Sequence, residues 1–234
     1  MWWIMSNLKF RKSAYGVVAL SAWTGFGLSV IIETFGLVEQ KLYDPPIPQS
    51  QFGYFGNYAS GLAGAPERLI DLFSYFTIWS QIVVGIVATL LFLNPNRDGK
   101  LFRIAFLDAV LMITVTGVVY NLLLGPNYPP QGLNKISSPI EHTWTPILMV
   151  AAFLLTGPRG WIKASIIPKV LVLPIIYVIY TLARGAVIDS YPYDFFDVVS
   201  YGYTYVITFV GAILAASLIV LSVYWLIDSR FAKR

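Results

Sequence analysis

The sequence predicts an all-α polytopic membrane protein with six transmembrane helices, on three observations. Charged residues are 12% and hydrophobic residues 57% of the chain, with a mean hydropathy of +0.67, whereas a soluble domain is roughly a quarter charged. Six apolar runs are long enough to cross a bilayer, which takes about 20 residues each. The alternating pattern of an outer-membrane barrel strand is absent.

The first run, 14–38, follows Lys9, Arg11 and Lys12 with no secretory cleavage pattern before it, and reads as an uncleaved signal anchor. A long loop, 39–68, comes next, with Pro45, Pro46 and Pro48 ahead of Phe52, Tyr54, Phe55 and Tyr58. The second run, 69–93, carries Ser74, Thr77 and Gln81 at i, i+3 and i+7, and Gly85 and Ala88 extend that face for close helix approach. Along the third, 102–124, Asp108, Met112, Thr116 and Tyr120 form a stripe with Gly117 and Asn121 alongside. The fourth, 140–157, is the shortest and opens on Glu141 and His142. The fifth, 167–189, aligns Tyr177, Tyr180 and Arg184; the sixth is 201–227. Together they make residues 1–234 a single integral membrane domain.

Charge sets the expected topology. Lys9, Arg11, Lys12, Arg97, Lys100, Arg103, Arg159, Lys163, Lys169, Arg230, Lys233 and Arg234 fall on one side, and only Lys41, Arg68, Lys135 and Arg184 on the other. The positive-inside rule then puts both termini in the cytoplasm and the longer loops outside. The net charge of +4 needs no nucleic acid to account for it, because basic residues flanking spans lie near anionic headgroups.

Polar residues within the spans should face inward, since lipid exposure is costly. Each has two readings. Thr77 bonds to its own helix or reacts. Asp108 pairs structurally, with Arg103 or a neighbouring span, or serves a pathway. Arg184 snorkels to headgroups or binds an anion. Asn121 reads as an interhelical hydrogen bonder. His142, the only histidine, is a wetted rim residue or a general base. One histidine and no cysteine exclude a three-histidine zinc site, a bis-histidine haem and a thiolate-held metal. No lysine lies in the interior of a span to form a retinal Schiff base, Lys169 falling at the edge of the fifth run. No cofactor is expected.

The segments Tyr75-Phe76-Thr77-Ile78-Trp79-Ser80-Gln81 and His142-Thr143-Trp144-Thr145-Pro146 resemble the family of androgen-induced and androgen-dependent TFPI-regulating membrane proteins and their bacterial six-span relatives. Tyr120-Asn121, and Tyr191-Pro192-Tyr193 followed by Asp197, match further features of the bacterial branch, whereas Gln81 stands where those members usually carry Asn. The likeness spans roughly residues 70–205. It implies hydrolysis of fatty acid esters of hydroxy fatty acids or similar lipid esters in the inner membrane, with Thr77 as nucleophile and His142 as base. Gln81, Tyr120 or Asn121 would steady the oxyanion, Arg184 would meet a substrate carboxylate, and Tyr193 and Asp197 would lie at the substrate. The implied partners are the lipid ester and membrane lipids, with the site in the outer half.

The expected boundaries strain this pair. A span starting at Leu69 sinks Thr77 eight residues, ~12 Å, below its end, while His142 is two residues into its own. Contact requires a fourth span that begins deeper, a second that begins later, or tilt. Two rival functions need no such contact: a transporter of lipid, small molecule or proton using Asp108 and Arg184, and a non-catalytic membrane subunit. Neither an internal repeat nor paired broken helices favours transport.

Overall fold

The computed structural model describes residues 7–38 and 61–232, and every regular element among them is helical. The proline- and aromatic-rich part of the 39–68 loop up to residue 60, Lys41, Lys233 and Arg234 lie outside the described residues. Helix α1 (Leu8–Phe35) starts at Asn7, whose side chain accepts the Phe10 N–H at 3.1 Å, and stops on Gly36 at φ 59°. After a 3₁₀ turn, Gly61–Gly64, comes the short α2 (Ala65–Leu72), with Pro66 in its first turn. Its Arg68 donates to the Glu33 and Thr34 carbonyls, which α1 leaves open at its C-terminal end.

Helix α3 (Phe76–Leu93) is followed by α4 (Lys100–Val119), which widens into a π turn, Tyr120–Leu124. A second widened helix runs from α5 (Asn134–Pro139) through a π turn, Ile140–Trp144, into α6 (Thr145–Thr156). The short α7 (Ile167–Val170) leads into α8 (Val172–Ile188), and a 3₁₀ turn, Asp194–Phe196, precedes α9 (Val198–Ala232). Helix α9 breaks at Gly202, whose φ of 76° is open to a residue without Cβ.

Among the described residues five stretches are long and apolar enough to cross a membrane: Leu8–Phe35, Phe76–Leu93, Lys100–Leu124, Ile167–Ile188 and Val198–Phe231. The fourth expected run is helical throughout, but its uninterrupted α-helical part, α6, has only 12 residues.

Helix α1 packs against α3 and α6, and α4 against the same two, so these four surround a common core. A Cβ on Gly85 would stand 2.7 Å from the Trp23 ring, the close approach its small size permits. Buried Tyr15, Phe106, Phe153 and Trp161 fill the end that carries the basic loops. Tyr177, Tyr191, Tyr193, Phe195 and Phe196 fill the other end, with Tyr177 edge-on to Phe76 and Trp79.

The first helix starts at Leu8 and not at 14, and the last runs from Val198 to Ala232 and not over 201–227; two further shifted boundaries matter for the site. The second span starts at Phe76, because the Ser74 hydroxyl bonds the Asp71 carbonyl and the Tyr177 hydroxyl bonds the Ser74 carbonyl, breaking the chain out of helix. Ser74 therefore leaves the face it was expected to share with Thr77 and Gln81. The fourth begins at Asn134, six residues before the expected 140. Arg103 bonds both oxygens of Asp98 at 2.7 Å and holds that carboxyl down at about 2, so its partner is Asp98 and not Asp108.

Arg184 reaches α2 and pairs with Asp71, both side chains being at most 9% exposed. Removing one member of a buried pair strands the other charge, which typically costs about 3–5 kcal/mol. Asp71→Ala should therefore lower the unfolding midpoint in detergent substantially; an unchanged midpoint would show that the pair carries no stability.

Candidate active site

Both shifts bring Thr77 and His142 to the same depth. Thr77 lies in the first turn of α3, where no preceding helical turn offers its hydroxyl a carbonyl. Its Oγ1 instead lies 3.1 Å from His142 Nε2. Residues 134–139 lift His142 clear of the start of its own helix.

The imidazole is held on its other edge. His142 Nδ1 lies 2.9 Å from the Ser138 carbonyl and 3.1 Å from the Ser138 hydroxyl. A carbonyl only accepts, so Nδ1 carries the proton and the neutral ring offers its Nε2 lone pair to the Thr77 hydroxyl. The Ser138 hydroxyl donates to the Tyr120 oxygen at 2.7 Å. The Tyr120 ring stacks on the imidazole, with centroids 3.7 Å apart and planes 15° apart.

Backbone geometry explains why His142 stands where it does. In the π turn the Thr145 N–H bonds the Ile140 carbonyl, leaving the Glu141 carbonyl without its α-helical donor. Pro146 has no N–H for the His142 carbonyl. Two side-chain amides from other helices fill these vacancies: Gln81 Nε2 donates to the Glu141 carbonyl and Asn121 Nδ2 to the His142 carbonyl, each at 2.8 Å. Gly117 lets the helices meet there, since a Cβ would stand 2.9 Å from Pro146 Cβ.

These contacts change the roles expected of several residues. Gln81 and Asn121 spend amide protons on backbone carbonyls and line neither cavity at Thr77, so they position His142 and do not face an oxyanion. Arg184, in its pair with Asp71, also lies off both cavities, which removes it from contact with a substrate carboxylate there. Asp197 is buried and accepts the Ser200 N–H at 3.1 Å, an N-cap for α9. Asp108 is buried off both cavities. Tyr120 and Tyr193 remain at the centre. The Tyr193 hydroxyl accepts the Phe76 N–H at 3.0 Å beside Thr77.

Thr77, Tyr120, Leu124 and Tyr193 stand where two cavities meet. The inner one, about 700 Å³ counting space open to the outside, is almost wholly apolar, walled by Met112, Val115, Tyr177, Phe196 and Ile213 among others. The other, about 1010 Å³ counting space open to the outside, is the more polar of the two, with Ser29, Glu33, Asn134, Ser137, Glu141 and His142 among its walls. The expected inward stripe of Met112, Thr116 and Tyr120 lines the apolar chamber. Ser138 and Glu141 were missed by sequence reasoning. Ser138 had a usable signal, standing one helical turn before His142; Glu141, whose Oε1 accepts from Ser29 at 2.8 Å, had none beyond adjacency. No cluster of metal-ligating residues occurs among the described residues.

Comparison with protein families, curated proteins and solved structures found no match to this chain.

On the bundle surface within a span there is hydrocarbon and not water to take a donor's place, and a carbonyl left unbonded there costs about 1–3 kcal/mol. Asn121→Leu should destabilise the fold by about that amount and loosen His142, seen as a lower melting temperature and an imidazole resonance shifted by NMR. Unchanged values of both would show that the amide does not hold the turn.

Proposed function

We propose that this protein is an intramembrane lipid-ester hydrolase, with Thr77 as nucleophile and His142 as its base. The observation that carries the reading is the 3.1 Å contact between Thr77 Oγ1 and His142 Nε2 at the junction of an apolar and a polar chamber. A threonine hydroxyl is a weak nucleophile until a base takes its proton, and a tautomer-fixed imidazole is suited to do so. The resemblance to the lipid hydrolase family, which assigns these same two residues, supports the reading independently of the geometry.

The ester's acyl tail lies in the apolar chamber and its more polar alcohol portion in the other, which puts the carbonyl carbon beside Thr77. As Oγ1 attacks, its proton passes to Nε2. The tetrahedral oxyanion is met by the Tyr120 and Tyr193 hydroxyls and the positive end of α3. Collapse breaks the ester C–O bond, and the imidazolium returns the proton to the leaving alkoxide. Water from the polar chamber then attacks the acyl-threonine with His142 again as base, releasing the carboxylic acid and restoring Thr77.

The surrounding topology is six spans. The helix 134–156 crosses as the fourth, its polar first half shielded by neighbouring helices and the two amides. Arg97, Lys100, Arg103, Arg159, Lys163 and Lys169 share the end away from Thr77. By the positive-inside rule both termini are cytoplasmic and the site opens to the outer half of the cell membrane.

Thr77→Ala and His142→Ala should each lower turnover of long-chain lipid esters by orders of magnitude, because nucleophile and base act as a unit, while thermal stability in detergent stays close to wild type. Near-normal turnover in either variant sinks the mechanism. A second measurement concerns pH: Nε2 must be unprotonated, so the rate should fall on the acid side along a single protonation. A profile that stays flat through acid pH would assign the base to another group.

A further inference from the structure

The apolar chamber needs a route by which hydrocarbon reaches it. The polar chamber is a poor one: a tail entering past Asn134, Ser137, Glu141 and Asp194 would strip polar groups of water without replacing their hydrogen bonds. On the flank of the bundle, between α4 and α9, runs a separate groove of about 740 Å³. Four residues, Val115, Val119, Ile213 and Ser217, line both this groove and the inner chamber, so only one layer of side chains separates them.

The groove is apolar down to its hydroxyls. Thr114 Oγ1 donates to the Val110 carbonyl at 2.6 Å and lies 2.8 Å from the Tyr224 hydroxyl, and Ser217 Oγ donates to the Ile213 carbonyl at 2.9 Å. With those atoms satisfied, the groove presents methyls and methylenes. Ala212 and Ala216 keep the α9 side thin. The groove lies along the C-terminal half of the Lys100–Leu124 stretch and the middle of the Val198–Phe231 stretch, both long and apolar enough to span a bilayer, where the medium offered to it is hydrocarbon.

We propose that the seam between α4 and α9 is the lateral access route by which a lipid acyl chain passes from the bilayer into the chamber that ends at Thr77. The proposal rests on reading that chamber as an acyl site, and names where its ligand comes from. Movement of Val115 and Ile213 side chains between rotamers opens the layer, with no backbone hydrogen bond broken.

The test uses the full-length protein in lipid nanodiscs with a long-chain fatty acid carrying a mid-chain diazirine, followed by peptide mapping of the adducts. Adducts are expected on both chamber residues, Leu111 and Met112, and groove residues, Phe209 and Ala212. Ala216→Trp, which fills the seam, should cut the chamber adducts several-fold, and the milder Ala216→Leu should do so in part. Val172→Trp, an exposed position on another face, should leave them unchanged. Chamber adducts insensitive to both Ala216 variants, or adducts confined to the groove as annular lipid only, would overturn the route. The readout is independent of turnover, so a failed route leaves the Thr77 chemistry standing, and a failed hydrolase leaves the labelling pattern interpretable.

Discussion

In an apolar medium a backbone carbonyl without a donor is expensive, and two such carbonyls govern this molecule. The widened turn at Ile140–Trp144 frees that of Glu141, and the missing amide at Pro146 frees that of His142. Water is not at hand inside a helical bundle, so the donors must come from other helices. Gln81 brings α3 to the turn and Asn121 brings the end of α4. Once both are engaged, three helices share one register and the imidazole has one place to lie. The interaction that repairs the backbone is also the one that aims His142 at Thr77.

Around that knot the neighbouring polar contacts are ordered by who can donate. The Ser138 carbonyl fixes the proton on Nδ1, the Ser138 hydroxyl is spent on Tyr120, and the Phe76 amide is spent on Tyr193. The Nε2 lone pair goes to the Thr77 hydroxyl, and the Tyr120 and Tyr193 hydroxyls stand beside it at the junction. Thr77 contributes from the first turn of its helix, where the helix dipole favours negative charge. An apolar chamber on one side and a polar one on the other make this junction fit an amphiphile better than a wholly water-soluble substrate.

Much of this was legible in the linear pattern and some was not. Hydropathy located the long apolar helices to within a few residues at most ends, because span length is set by bilayer thickness and not by neighbours. It misplaced the start of the second by seven residues: the chain leaves helix at 73–75, where the Ser74 carbonyl accepts from the Tyr177 hydroxyl, a partner 103 residues away in sequence. It started the fourth too late because polar residues 134–139 read as loop, although the chain continues in helix through Pro139. Spacing placed Met112, Thr116 and Tyr120 on an inward face correctly. It read Asn121 correctly as an interhelical hydrogen bonder, but did not foresee that Gln81 would bond the Glu141 carbonyl or that Arg184 would pair with Asp71, partners from other segments of the chain.

Composition and periodicity alone determined that the chain is helical, that most of it is apolar enough for a membrane, and that its few buried polar residues face one another; these follow from local repeats and transfer energies, which need no partner. Which polar residue meets which was decided only by the tertiary structure. A histidine's tautomer, an amide's choice between carbonyl and ligand, and the meeting of two chambers at one hydroxyl depend on angstrom-scale distances between helices, and a repeat of 3.6 residues carries no information about those.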